Sequence, residues 1–213
     1  MAPTDPPVLA ELLVGDSPEQ WRKAGFTVDG DRCRLGGIDV VLTGPDRGRG
    51  IHGWGWRATP SAPMIGDLPG HVATAGEGRA TTPVPHPNTA LGVFYVVLFG
   101  PSWHEAADSL SAAGIEPGDA RPMSDDEGAM LRSLAPVGEA AIEVIGPPGH
   151  DPERGWRLWG AIVEVGDIET TAAVLGPGLR AVKPAVQRGR RIATLDRSVG
   201  SSVALAFMSR VGE

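Results

Sequence analysis

Three stretches of the chain repeat one grammar: an apolar strand-like run, a Gly followed by Asp or Pro, then a short amphipathic helix. The first reads VLAELLVGD and SPEQWRKAGF, the second LGVFYVVLFGP and SWHEAADSLSAAGI, the third WGAIVEVGD and IETTAAVLGPGL. Their starts, near Val8, Leu91 and Gly160, are unevenly spaced, which excludes a solenoid of fixed period. What remains is a duplicated supersecondary unit. Such units pair their sheets, and the space between paired sheets can hold a small ligand.

Local signals place the elements. Val8 to Val14 reads as a strand, and Asp16 or Ser17 can cap the helix that follows, with Pro18 at its first position, where the missing N–H costs nothing. Gly25 ends that helix. Strands around Cys33–Leu35 and Ile38–Thr43 flank Gly36-Gly37, a hairpin turn pair. Ile51 to Arg57 (IHGWGWR) is a further strand, with Trp54 and Trp56 on one face. Residues 58–90 are rich in Pro, Gly, Ala and Thr without a sustained period and read as a linker. Leu91 to Phe99 is strongly β-like. Ser102 caps a helix through Ala113 that Gly114 closes, with Ala106, Leu110 and Ala113 at helical spacing to face the sheet. LRSLAP, Ala141 to Ile145, Ile192 to Asp196 and Val203 to Met208 are the remaining strands, so the second and third units each read βαβββ.

Bulk properties narrow the function. A chain of 213 residues with net charge −7 lacks the basic face that phosphate neutralisation needs, and RGRR at 188–191 is too short to supply one. The 30 Gly and 20 Pro fit many short strands and turns and argue against a helical bundle. No apolar run reaches the about 18 residues of a membrane span, and the acidic, Pro-rich start is unlike a signal peptide. Cys33 is the single cysteine, which excludes an internal disulfide and fits a cytoplasmic location. An odd number of units leaves one sheet unpaired, an edge that a homodimer would cover symmetrically.

The tandem βαβββ pattern, carried by HPNTALGVFYVV through IEVIGPP, LWGAIVEVGDIETTAAVL, QRGRRIATLDR and VALAFMS, resembles the vicinal oxygen chelate superfamily, which includes glyoxalase I, extradiol dioxygenases and the bleomycin- and fosfomycin-resistance proteins. The resemblance implies an α+β fold: paired βαβββ units form a curved mixed sheet around a cleft over residues 91–213. A divergent N-terminal unit (1–57) and the linker (58–90) precede it. In the metal enzymes of that family the ligands lie on the first and last strand of each unit, commonly a His and a Glu. Tyr95 stands where the first His is expected and Glu143 matches the Glu. Aligning Gly166 with Gly100 places Ala161 at the second His position, and aligning VALAFMS with AIEVIGP places Ala206 at the second Glu position. One donor in four survives, so the resemblance implies a metal-free site, without cofactor, that binds a small organic molecule.

Candidate site residues follow from residue type. Glu143 is an isolated carboxylate in an apolar strand. It either faces solvent or enters the cleft, where burial would raise its pKa and suit it to act as a general base. Tyr95, the only tyrosine, is either a core aromatic or a hydroxyl donor facing Glu143. Trp159 opens the third unit and can line the pocket mouth. Phe94 and Phe207 are taken as further ligand contacts, and Arg191 as an anion clamp at the rim, against the alternative of a solvated turn for Arg190-Arg191. The five histidines show no metal-ligand spacing, Cys33 has no His–acid partner pattern, and DRGRGIHGWG matches neither phosphate-loop nor dinucleotide spacing. The expected function is metal-independent binding of a small molecule. The alternative is a lyase or isomerase of the glyoxalase-like class with Glu143 as base.

Overall fold

A computed structural model describes residues 6–59, 61–73 and 83–212. The described residues form two sheets. The smaller contains β1 (Val8–Val14), β2 (Arg32–Leu35), β3 (Ile38–Leu42), β4 (Ile51–Arg57) and β5 (Gly70–Val72), in the order β2-β3-β1-β4-β5. The larger contains β6 (Ala90–Phe99), β7 (Arg121–Pro122), β8 (Leu131–Val137), β9 (Ala140–Gly146), β10 (Arg157–Val165), β11 (Lys183–Pro184), β12 (Arg191–Thr194) and β13 (Ala204–Ser209), in the order β11-β12-β13-β10-β6-β9-β8-β7. Helix α1 (Pro18–Lys23) follows β1, α2 (Trp103–Ala112) follows β6, and α3 (Ile168–Leu175) follows β10.

The large sheet is two βαβββ units joined edge to edge. In each, the first strand lies parallel to the fourth (β6 with β9, β10 with β13), and the two first strands pair antiparallel at the centre. The small sheet repeats this centre in reduced form. β1 runs parallel to β3, β4 runs parallel to β5, and β1 pairs antiparallel with β4. The element order β-α-β-β-β expected for the first unit is present, but its last strand is wired differently. β3 already fills the parallel position, so β4 takes the place that β10 holds in the large sheet. To reach it the chain crosses the end of β1, where the Gly15 N–H donates to the Gly50 carbonyl at 3.0 Å. A Cβ at Gly15 would run into the Gly48 carbonyl, so the crossing requires glycine there. Part of the stretch expected to be linker belongs to this sheet: β5 pairs with β4, and Ile65 is fully buried.

The helix starts follow the capping residues in the sequence. Ser17, rather than Asp16, caps α1 through a capping box with Gln20. Ser102 accepts from the Glu105 N–H, and Asp167 from those of Glu169 and Thr170. Asp16 is instead fully buried and ties the first unit to the third. It accepts from the Trp21 indole at 3.1 Å, the Ser201 hydroxyl at 2.8 Å and the Ser202 N–H at 2.8 Å.

Strand alternation sorts the side chains of the large sheet into two faces. The register puts Val93, Val96, Leu98, Ile142, Val144, Ala161, Val163, Leu205 and Phe207 on an inner face, each no more than 5% exposed. Helix α2 lies on this face, where the Trp103 indole donates to Ser133 at 3.1 Å. The small sheet lies there too. Its Leu12, Val14, Leu35, Val40 and Ile51 share one apolar core with the large sheet, and Phe26 stacks on Phe207 at 5.8 Å. Trp54 and Trp56 are both fully buried on the core side, 5.0 Å apart. The odd unit therefore buries its apolar face within the chain, and the count of three gives no reason for a second copy. No described helix is long and apolar enough to cross a membrane.

Candidate functional site

The outer face of the large sheet carries no helix among the described residues and holds most of the candidate residues. Val97 pairs with Glu143 and Tyr95 with Ala141, so Glu143 and Tyr95 are diagonal neighbours on that face. Both are buried, at 8% and 6% exposure. The Tyr95 hydroxyl makes no hydrogen bond to a described residue. The carboxylate of Glu143 is paired with Arg132 of β8, Nη1 to Oε1 3.3 Å. Arg132 reaches it because Leu134 lies directly opposite Glu143 and side chains two apart share a face. Burial pushes the Glu143 carboxyl above its ordinary value, and the Arg132 charge offsets this only in part.

Two irregularities bring aromatic rings onto the same face. Pairing between β6 and β10 skips Phe94 on one strand and Trp159 on the other. A bulge of this kind re-aims the extra side chain. Phe94 lies 4.2 Å from the Tyr95 ring, and Trp159 stands edge-on to Phe99 at 6.0 Å. Counted back from the helix caps Ser102 and Asp167, Phe94 and Trp159 hold the same position in their units. The Arg190 guanidinium lies 4.4 Å from the Phe94 ring centre and bonds Glu164 at 2.8 Å. Arg157 lies 5.3 Å from the centre of Phe99.

The same cap alignment corrects the expected equivalence of Ala161 and Tyr95. Ala161 pairs with Val96 and lies on the inner face, so the position matching Tyr95 is Gly160. Ala206 does match Glu143: it pairs with Ile162 as Glu143 pairs with Val97. The four positions that would bind a metal in the resembled family therefore carry Tyr95, Glu143, Gly160 and Ala206. That set offers one carboxylate, already paired with an arginine, and does not fit a divalent ion, which takes several oxygen or nitrogen donors.

Two expected ligand contacts fall elsewhere. Phe207 is on the inner face, 0% exposed, because it pairs with Val163. Arg191 opens β12 and pairs with Glu169 of α3, on the helix side of the sheet. Alternation sends its neighbour Arg190 to the outer face instead. Arg132, Phe99 and Glu164 also line the outer face and were not among the sequence candidates. Arg132 becomes visible only through the β8–β9 register. Phe99 and Glu164 could have been found by extending the alternation from Val97 and Ile162.

No protein-family model matches the chain, and no curated protein matches it. Solved structures do. Methylmalonyl-CoA epimerase from Mycobacterium tuberculosis is 16% identical, over 57% of this chain and 89% of that one, with a TM-score of 0.46. A hypothetical protein from Bacillus halodurans is 16% identical over 57% and 95%, with a TM-score of 0.44. A Streptomyces coelicolor methylmalonyl-CoA epimerase variant in complex with 2-nitronate-propionyl-CoA is 13% identical over 58% and 96%, with a TM-score of 0.45. The strand order stands on its own: two βαβββ units joined through antiparallel first strands give this chain the fold of the vicinal oxygen chelate superfamily.

Proposed function

We propose that the outer face of the large sheet binds a small organic molecule without a metal at the four equivalent positions. One observation carries this reading: a buried carboxylate, Glu143, shares a face with an uncommitted hydroxyl, Tyr95, and with two bulge-borne rings, Phe94 and Trp159. Apolar walls with a few convergent polar groups are the usual make-up of a small-molecule site. Tyr95 supplies a donor and acceptor that no described residue uses. Native mass spectrometry of the purified chain, followed by a small-molecule library read by thermal shift, tests the reading. Binding that weakens about tenfold in Tyr95→Phe or Glu143→Gln, with the fold intact by circular dichroism, supports it. A ligand bound with equal affinity by both variants and the parent chain refutes it.

A second reading has its own support. Burial raises the Glu143 pKa, moving the carboxylate toward the basicity a proton acceptor needs. In an isomerase- or lyase-type reaction, ionised Glu143 would accept a proton from a C–H acid held over the face. Arg132 would compensate the charge while Glu143 is ionised. Incorporation of solvent deuterium into a bound carbon acid, lost in Glu143→Gln, is the distinguishing result.

A further inference from the structure

We infer that the ligand of the outer face is a small planar organic anion of the aryl carboxylate class, with its anionic group on Arg157 and its ring against Phe99 and Trp159. This rests on the reading that the outer face is a binding site, and it adds which end of the face is used and for what chemistry. The argument begins with the local twofold between β6 and β10. Arg157 pairs with Phe99 at one end of this strand pair, and Gly92 pairs with Glu164 at the other. By the cap alignment these two pairs hold equivalent positions.

The two ends are chemically unlike. At the Glu164 end both arginines bond an acid. Arg190 bonds Glu164 at 2.8 Å while stacked on Phe94, and it also donates to the Ser209 carbonyl at 2.8 Å. Arg210 reaches the second Glu164 oxygen at 3.4 Å. At the Arg157 end the same combination of arginine over phenylalanine lacks its acid. Arg157 has no carboxylate and no hydrogen-bond partner among the described residues, and its only recorded interaction there is with the Phe99 ring. Arg157 is exposed and has no acid among the described residues, so its fork of N–H donors, which matches a carboxylate, is available to an anion.

Space and wall chemistry agree. A cavity of about 350 Å³ opens at this end, lined by Phe99, Trp156 and Arg157 with the turn 153–155. That is near the lower limit for a ligand pocket and suits a one-ring molecule. Of the charged residues in that turn, Arg154 is held by Asp151 at 2.7 Å. Glu153 remains to repel a second negative group, which favours a monoanion. Trp159, 48% exposed and edge-on to Phe99, stands beside this cavity rather than in its lining.

The test titrates the full chain with benzoate, benzamide and cyclohexanecarboxylate by calorimetry. Benzoate should bind at least about tenfold more tightly than benzamide, because the neutral isostere forfeits the charged pair, and more tightly than the non-planar acid. Arg157→Gln should remove the preference for benzoate over benzamide without moving the melting temperature. Arg157→Lys should restore it only in part, since lysine lacks the planar fork. Equal binding of benzoate and benzamide, no benzoate binding up to about 10 mM (below the affinity of a millimolar fragment), or benzoate binding unchanged in Arg157→Gln overturns the inference. A neutral molecule lost in Tyr95→Phe but indifferent to Arg157→Gln leaves the binding-face reading standing and sinks this one. Benzoate binding lost in Arg157→Gln but unmoved by Tyr95→Phe and Glu143→Gln supports this inference and removes Tyr95 and Glu143 from the site.

Discussion

The small and large sheets place an acid at the same point of corresponding strands and treat it differently. Ile38-Asp39-Val40-Val41 on β3 and Ile142-Glu143-Val144-Ile145 on β9 each run parallel to the first strand of a unit, with the acid turned away from the shared core. Asp39 is 4% exposed and accepts from Arg34 at 2.9 Å and Arg32 at 3.4 Å. Beside it on β1, Glu11 accepts from Arg32 at 3.0 Å and bonds His71 of β5 at 2.8 Å, across a gap that Gly55 leaves open. Glu143 has one arginine at 3.3 Å. The balance of terms differs accordingly. Burial pushes Glu11 up, but hydrogen bonds from His71 and Arg32 outweigh it and hold the carboxyl below its usual value. For Glu143 burial wins. An acid enclosed by several cations is a structural joint. Glu143, with one cation in place of two, is less fully compensated.

The largest test of this contrast removes one sheet. A chain of residues 86–213 would expose the inner face that the small sheet covers and break the Asp16 bonds to Ser201 and Ser202. It is expected to lack a cooperative thermal transition and to lose its near-ultraviolet circular dichroism; a parent-like melt would show that the sheets are independent. Next, Phe207→Ala should cost about 4 kcal/mol in urea unfolding, the usual range for a buried ring, because it empties the junction with Phe26. The same measurement on Asp39→Ala should show about 2 kcal/mol, less than a fully buried pair because its arginines are partly solvated. Glu143→Gln should change stability by no more than about 0.5 kcal/mol. A large loss there would make Glu143 a structural joint like Asp39.

The smallest effect is the pH dependence, and its sign differs between the two acids. Glu11 has a lowered folded pKa. Its stabilisation is present above the ordinary value of 4.5 and is lost as pH falls through the folded value. Glu143 has a raised one. Its contribution is favourable at low pH and is lost as pH rises from 4.5 through the folded value. Unfolding free energies between pH 3 and 7, read against Glu11→Gln and Glu143→Gln, should therefore flatten opposite sides of the 4.5 region. Curves that flatten on the same side would contradict the contrast.

Much of the fold was legible because its signals are local. Capping residues at Ser102 and at Asp16 or Ser17, the Gly36-Gly37 turn and the apolar runs define the elements, and each depends on neighbours within a few positions. Of the candidate residues, Glu143 and Tyr95 were readable one by one, each on a face of its own strand, but their placement as diagonal neighbours exists only across the β6–β9 register. Arg132 was not readable, because its closeness to Glu143 exists only across the β8–β9 register. Phe207 and Ala161 were misassigned for other reasons: Phe207 follows Ala206, so alternation turns it to the opposite face, and aligning glycines rather than helix caps shifts the match to Tyr95 by one residue.

The sequence by itself determined the α+β class and the two βαβββ units. These follow from residue type and short-range periodicity, which survive any long-range arrangement. Tertiary structure alone decided that the first unit is a reduced copy packed onto the helix-bearing face, and that Arg190 rather than Arg191 joins the outer face. It also decided that Asp39 accepts from two arginines while Glu143 has one and Arg157 has no acid among the described residues. Those outcomes depend on which strands meet and in what register, and pairing energies between distant segments are not written in either segment alone.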